Sequence, residues 1–348
     1  MTVELLLLGN VPIADMVERA RLAEASGYDT VWLADERFYR EVYSCLAMFA
    51  ARTEMIRLGP CVTDPYARHP ALTAMAIATL DEISGGRAIL GIGAGISGFA
   101  ELGIERRKPA RAIREAIELI RALLTGEPVD YQGEVVGFRG GKLSFSPPRR
   151  EVPIYVASNG PLGQRMAGAV ADGALMEGCG SAPEARAFAA EIAAGAARAG
   201  RDPGRVKLAA RLNVCIAADG KAARDTLRPA VARYLGAGRL KFHTDEAQGL
   251  ALPADALAGV ADAPYASGYT PYLPLLPLIS DAHVAAHVLA GTVEEVTAQV
   301  VALRRAGIDS IIVMPFAAPG GNAEDTLVAF GTEVWPGATR ALGGGIPA

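Results

Sequence analysis

MVERARLAEASGYDTVWLADE (16–36) reads in two phases. Ala, Leu and Val first recur at helical spacing as far as Gly27, and the short apolar run around WLA follows. VTAQVVALRRAGIDSIIVMPF (296–316) repeats the phrase around Gly307, and RMAGAVADGALMEG (165–178) gives a shorter version around Gly173. The runs WLA, IIVM and ALM lack polar alternation, so both faces of each strand are expected to be buried. A parallel sheet covered by helices has that signature.

Extending the phrase outward predicts strands at 3–8, 30–34, 56–62, 88–92, 152–157, 173–176, 206–216 and 310–315. Helices are expected near 12–26, 43–52, 70–83, 109–125, 161–170, 183–199, 220–235 and 292–306. Strict strand–helix alternation at this count predicts an α/β fold, a (β/α)8 TIM barrel, over an open doubly wound sheet. The 348 residues are then one domain, 1–348, because barrels of about 250 residues or more are single domains. Two stretches interrupt the alternation. Residues 127–150, with Gly-rich turns, read as an antiparallel ribbon. Residues 236–290, punctuated by Pro and Gly, read as a partly helical excursion over the barrel mouth.

Composition narrows the function. A net charge of −4 argues against nucleic acid as the main partner, since phosphate binding needs clustered Lys and Arg. Cys45, Cys61, Cys179 and Cys215 form no CxxC pair, which fits a reducing cytoplasm and argues against a disulfide framework or a zinc knuckle. The apolar start, MTVELLLLGN, has no basic n-region and no cleavage site. It reads as a buried first strand, and no apolar run is long enough to span a membrane.

In such a barrel, functional groups sit where strands end and loops begin. The rule selects Gly9 and Asn10, Asp35 and Glu36, Val62 to Asp64, Gly93 to Gly95, Ala157 to Gly160, and Glu177 with Gly178. GIGAG (91–95) is not a dinucleotide fingerprint, because it follows a fourth strand and opens no first βαβ unit. Two readings of it stand: close packing at a strand end, or a coenzyme ring against bare backbone. SNGP (158–161) leads into a helix starting at Pro161, so it is either a simple β–α turn or a phosphate cradle at a helix N-terminus.

Residues 58–95, LGPCVTDPYARHPALTAMAIATLDEISGGRAILGIGAG, resemble the third-to-fourth-strand region of the luciferase-like flavin and deazaflavin oxidoreductases. Together with WLADE, LGIERRKPARAIREAI and VPIYVASNGPLGQRMAGAVADGALMEG, they resemble most the methylenetetrahydromethanopterin reductase branch, which uses coenzyme F420. The resemblance runs from about residue 10 to 180 and returns at 284–315. It implies a bacterial-luciferase-like barrel that binds F420 and transfers a hydride to or from a small organic molecule. FMN-dependent monooxygenation on the same fold is the alternative, and a non-catalytic ligand-binding barrel is the alternative of another class. Asp35 is implied to lie near the coenzyme ring, with Thr63, Gly93 and Ala94 along its path. Ser158, Asn159 and Gly160 are implied to hold its phosphate, with Ala157 and Glu177 at the neighbouring strand ends. A non-prolyl cis peptide is implied at Cys61–Val62, behind the ring. Two positions depart from the branch: Leu6 replaces an acidic residue, and Glu36 stands where His is usual. Both lie on the substrate side.

No nucleophile–base pair, GxSxG elbow or metal set accompanies these residues. Asp35 and Glu36 are therefore the expected proton-transfer groups, with Asn10 orienting the substrate and the 236–290 excursion burying the acid. His283 and His287 have metal-like spacing but no third ligand, so a structural role is expected. His69, just before Pro70, reads as helix-entry chemistry, and Cys61 as a small buried residue. The apolar stripe of Tyr43, Cys45, Leu46, Met48 and Phe49 is expected to form a homodimer interface, with core packing as the alternative.

Overall fold

In the computed structural model, residues 2–95, 98–238, 242–261, 263 and 268–343 are described. Eight parallel strands form the barrel wall: β1 (Thr2–Leu7), β2 (Thr30–Leu33), β3 (Arg57–Pro60), β4 (Leu90–Ile92), β5 (Ile154–Ala157), β6 (Gly173–Glu177), β7 (Lys207–Ile216) and β8 (Ser310–Pro315). Ladder pairing runs β3-β2-β1-β8-β7-β6-β5-β4. Single bridges from Leu58 to Ala88 and from Thr63 to Ile92 close the remaining seam between β3 and β4. The expected closed barrel is therefore present.

The helices of the repeating phrase are α1 (Ile13–Ala25), α2 (Val42–Ala50), α3 (Pro70–Ile83), α4 (Pro109–Leu124), α5 (Pro161–Val170), α6 (Ala182–Arg198), α7 (Gly220–Gly236) and α8 (Val293–Arg305). Each turns an apolar stripe onto the barrel. In α4, for example, Ala112, Ile113, Ala116, Ile117, Ile120 and Leu123 are buried at helical spacing.

Inside the wall, Leu6, Trp32, Ile89, Tyr155, Leu175, Ala209 and Ile312 form one buried cluster. Beside Ile312 in register lies Glu4, buried, whose carboxyl accepts the Trp32 indole N–H. Gly91 sits in this seam because a Cβ there would meet the Pro60 carbonyl at 2.4 Å. That settles the packing reading for the first part of GIGAG.

The ribbon is as expected, Val129–Gln132 pairing antiparallel with Gly137–Gly141. Glu115 of α4 anchors its turn by accepting the backbone N–H groups of Glu134, Val135 and Val136 at 2.8–2.9 Å. The 236–290 excursion departs from expectation. Its described part packs outward on α7, where Tyr272, Leu275, Ile279, Val284 and Val288 join Leu227 and Val231 in a satellite core. It also carries a short unexpected strand, Leu289–Gly291, beside the end of β7. A last helical stretch after β8, Ala323–Ala341, was not legible either, since Gly331 and Pro336 interrupt its pattern. Gly331 permits close approach to α1, because a Cβ would lie 2.3 Å from the Ser26 carbonyl.

Candidate active site

The C-terminal ends of the strands open into a cavity of about 510 Å³. Leu6, Leu8, Cys61, Val62 and Leu175 form its apolar wall. Asp35, Glu36, Arg37, Arg106, Ser158, Asn159, Glu177 and Arg211 supply its polar groups. A larger groove of about 720 Å³ lies between α8 and the C-terminal helix and shares no lining residue with the cavity.

Of the residues selected from the sequence, Asp35, Glu36, Cys61, Val62, Gly93, Ala94, Ala157, Ser158, Asn159 and Glu177 all line this cavity. Thr63 lies just behind it, buried. Gly160 caps α5 at the same rim. Asn10 is exposed and faces an adjoining cleft of about 230 Å³, which shares Leu6 and Leu8 with the main cavity.

Asp35 follows β2, and burial raises its proton affinity above the ordinary carboxylate range. The Thr63 hydroxyl and the charges of Arg37 and Arg68 oppose the shift without cancelling it. Arg37 and Glu41 after β2 and Thr63 and Arg68 after β3 surround the carboxyl. No described residue of 236–290 lines the cavity.

Arg37 organises three loops. Its guanidinium pairs with the buried Asp64, donates to the Asp35 carbonyl at 2.9 Å, and stacks 4.9 Å from the Phe99 ring centre. Asp64 in turn accepts the N–H groups of Tyr66 and Ala67 at 2.8 and 2.9 Å. Arg106 approaches the same ring at 5.2 Å and donates to the Gly95 carbonyl at 2.7 Å.

Across the cavity, Glu177 at the end of β6 pairs with Arg211 of β7 at 2.6 Å. The Tyr234 hydroxyl accepts from Arg211 at 2.8 Å. The Asn159 side chain donates to the Glu177 carbonyl at 2.6 Å and accepts from its N–H at 3.3 Å. Asn159 thereby ties the β5 loop to β6.

The backbone at Cys61–Val62 is cis, as the resemblance implied. The Cys61 thiol is pushed up to about 12 by burial and stays protonated, which removes it as a nucleophile. A Cβ on Gly93 would meet the Val62 side chain at 2.7 Å, so this part of the cavity lining is packed tightly against the cis peptide. Gly93 is thus close-packed like Gly91, and it lines the cavity as well. At α5 no side chain caps the helix, and nothing lies within 4 Å of a Cβ built on Gly160. The Ser158 hydroxyl accepts the Gly160 N–H at 3.3 Å, and an uncapped helix start of this kind is a place that can receive an anion.

Sequence reasoning missed Arg37, Arg106 and Arg211. Arg211 alone carried a signal, as a single charge inside an apolar strand. The arginines around Phe99 meet only through folding. The histidines are structural: His69 Nδ1 caps α3 by accepting the Ala71 N–H at 3.1 Å, and His283 forms a capping box with Ser280. No described group of three His, Cys, Asp or Glu could hold a metal.

Comparison with known proteins agrees with this geometry. The 5,10-methylenetetrahydromethanopterin reductase of Archaeoglobus fulgidus is 44% identical over 214 residues, 61% of this chain and 63% of that protein. The chain thus matches just under two thirds of that relative. The reductase of the same name from Methanopyrus kandleri is 30% identical over 337 residues, 91% of this chain and 92% of the relative. The solved structure of the coenzyme F420 dependent tetrahydromethanopterin reductase from Methanopyrus kandleri superposes with a TM-score of 0.84 at 28% identity, covering 96% of this chain and 98% of that one. A profile for luciferase-like monooxygenases matches residues 3–310, and with the barrel, its strand-end cavity and these relatives in agreement, the chain belongs to the luciferase-like monooxygenase family.

Proposed function

We propose that this protein is an oxidoreductase that moves a hydride between coenzyme F420 and a small organic substrate with a C=C, C=N or alcohol/carbonyl reacting group. The observation that carries the reading is one cavity holding a buried acid of raised proton affinity at one side and an uncapped helix N-terminus at the other. The F420-dependent relatives supply the choice of coenzyme.

The site suits that group. Val62, Gly93 and Ala94 offer apolar side chains and bare backbone to a ring, with the buried Thr63 next in the chain to Val62. Ser158, Gly160 and the first turn of α5 offer hydrogen-bond donors to a phosphate. When bound, F420 supplies the carbon that donates or accepts the hydride. The chain does the rest. Asp35 holds a proton at its carboxyl and delivers it to the substrate, while Leu6, Leu8 and Leu175 exclude water beside it. Glu36 is the second proton-transfer candidate, and Asn10 orients the substrate from the adjoining cleft.

We further propose a homodimer and a cytoplasmic location. The outward faces of α2 and α3 leave Met48, Leu72 and Met75 between 43% and 50% exposed, an apolar surface fit for a second copy. Four unpaired thiols suit a reducing compartment, and no described helix is long and apolar enough to cross a membrane.

Titration of the purified protein with F420 and with FMN, following quenching of each coenzyme's fluorescence, tests the reading. Tight binding of F420 and weak binding of FMN is expected. Tight FMN binding with none for F420 would replace the proposal by flavin-dependent monooxygenation.

A further inference from the structure

Two hydroxyls beside Asp35, those of Thr63 and Tyr43, have no part in the reaction proposed above. Thr63 is 1% exposed, and its backbone is pinned to β4 and the residue after it. Its N–H donates to the Gly91 carbonyl at 3.0 Å, and its carbonyl accepts the Gly93 N–H at 2.9 Å. Tyr43 stands in the first turn of α2, which Glu41 caps by accepting the Ser44 N–H at 2.7 Å. The stripe read from the sequence gave Tyr43 an apolar role alone. Its ring packs against the core, half-buried, and its hydroxyl oxygen is enclosed.

Among the described residues, neither hydroxyl has a hydrogen-bond partner. Both nonetheless lie in the field of Asp35. Burial raises the proton affinity of Asp35 and of Tyr43. The Thr63 hydroxyl lowers each of them, so it neighbours both, and the Asp35 charge raises Tyr43 further. Folded proteins seldom leave buried hydroxyls unmet, because each forfeits its hydrogen bonds to water. Phe at Tyr43 and Val at Thr63 would fill the same space without that cost. Two such groups against one carboxyl point to a state of that carboxyl in which they are used.

We propose that Tyr43 and Thr63 are positioning residues for Asp35, whose hydroxyls turn to donate to its carboxylate once the proton has passed to the substrate. The role rests on the hydride-transfer reading above. With the proton in place the carboxyl is a weak acceptor, and the hydroxyls stay unmet. When the Asp35 O–H bond breaks and its proton joins the substrate, the electron pair remains on the carboxylate. Rotation about one C–O bond in each neighbour then brings a donor toward it. Reaction in the opposite direction restores the acid and releases both donors. Burial holds Tyr43 above the ordinary phenol range, so it remains a donor throughout. Arg68 lies 4.9 Å from the Tyr43 ring centre, where its charge favours donation by the phenol.

The charged groups around the three side chains come from several loops. Arg37 pairs with Asp64, and Arg68 with Glu41 at 2.9 Å. Beyond burial, Arg37 and Arg68 lower the proton affinity of Asp35 and Glu41 raises it. Glu36 and Arg106 line the same cavity, as do Glu177 and Arg211, which pair with each other. Tyr43→Phe and Thr63→Val leave every one of these charges in place, so the two substitutions isolate the hydroxyls.

Infrared difference spectroscopy of the ligand-free protein, titrated from acid to alkaline pH, follows the protonated-carboxyl stretch that Asp35→Asn abolishes. The midpoint of that band is expected to rise by about one pH unit in Tyr43→Phe and in Thr63→Val, since losing a donor penalises the carboxylate alone. Thr63→Ser keeps the hydroxyl and should hold the parent's midpoint. A merely structural hydroxyl would lower the melting temperature when removed and leave the midpoint where it was. An unmoved or falling midpoint in either variant, or no band lost in Asp35→Asn, overturns the proposal. Neither coenzyme nor substrate is present, so failure here is distinguishable from failure of the F420 titration.

Discussion

Asp35 was legible because it directly follows an apolar strand, where a barrel exposes its working groups. Its proton affinity was not, since that is set by burial in the folded cavity, opposed by Thr63, Arg37 and Arg68. An acid raised by burial is protonated at a higher pH than a free carboxylate and loses its proton as pH climbs through the raised value. Turnover in the direction that needs the proton should therefore fall along the alkaline side. Asp35→Asn should reduce kcat about a hundredfold while leaving F420 affinity nearly unchanged, as separate binding and rate measurements would read. Glu36→Gln is expected to cost less. Full turnover in both variants would remove proton transfer from these residues. Glu4 obeys the same rule without touching the cavity. Burial raises it, while the Trp32 indole pulls the other way. The folded chain holds this proton more tightly than the unfolded chain, so the contribution is complete below the unfolded carboxylate range and lost as pH rises through the folded value. Glu4→Gln keeps an acceptor for Trp32 and removes the buried charge. Its melting temperature should exceed the parent's near neutrality, with the gain shrinking toward acid. An equal shift at all pH values would contradict this account.

At the scale of elements, α5 shows what a short motif can and cannot tell. SNGP announced a strand, a turn and a helix start, yet an anion cradle and an ordinary β–α turn share that grammar. The difference lies in the missing cap and the open space at Gly160, which only the fold displays. Those features separate stability from binding. Gly160→Asp supplies the absent N-cap and complements the helix dipole, worth about 1 kcal/mol of stability. It also places a negative charge where a phosphate is expected, and should weaken F420 binding about tenfold or more. A variant that is more stable and binds F420 as well as the parent would remove the phosphate from α5. The excursion taught the opposite lesson. Its length suggested a lid, but its described buried apolar residues pack on α7, and a residue pattern does not say which apolar surface an insertion covers. The stripe on α2 divided for the same reason: Cys45, Leu46 and Phe49 are core, and Met48 points outward.

Over the whole molecule, the alternating phrase made the barrel legible because each unit repeats one physical problem, a doubly buried strand needing a helix on its outer face. Barrel closure itself rests on two single bridges between β3 and β4, a contact no periodicity displays. Assembly is a property of surfaces and was legible only as an excess of apolar residues. Replacing Met48, Leu72 and Met75 together by Glu should convert a dimeric mass in light scattering to a monomeric one, without loss of the barrel's circular dichroism. A parent that is monomeric at micromolar concentration would contradict the dimer. The central claim is that F420 lies in the strand-end cavity with its phosphate on α5, and a crystal structure of the F420 complex tests it most directly. The account predicts the phosphate within hydrogen-bond distance of the α5 first-turn N–H groups and Ser158, and the ring against Val62 and Gly93 with Asp35 facing it. A phosphate held instead by Arg37 and Arg106 beside Phe99, or a ring lying outside the cavity, would contradict it.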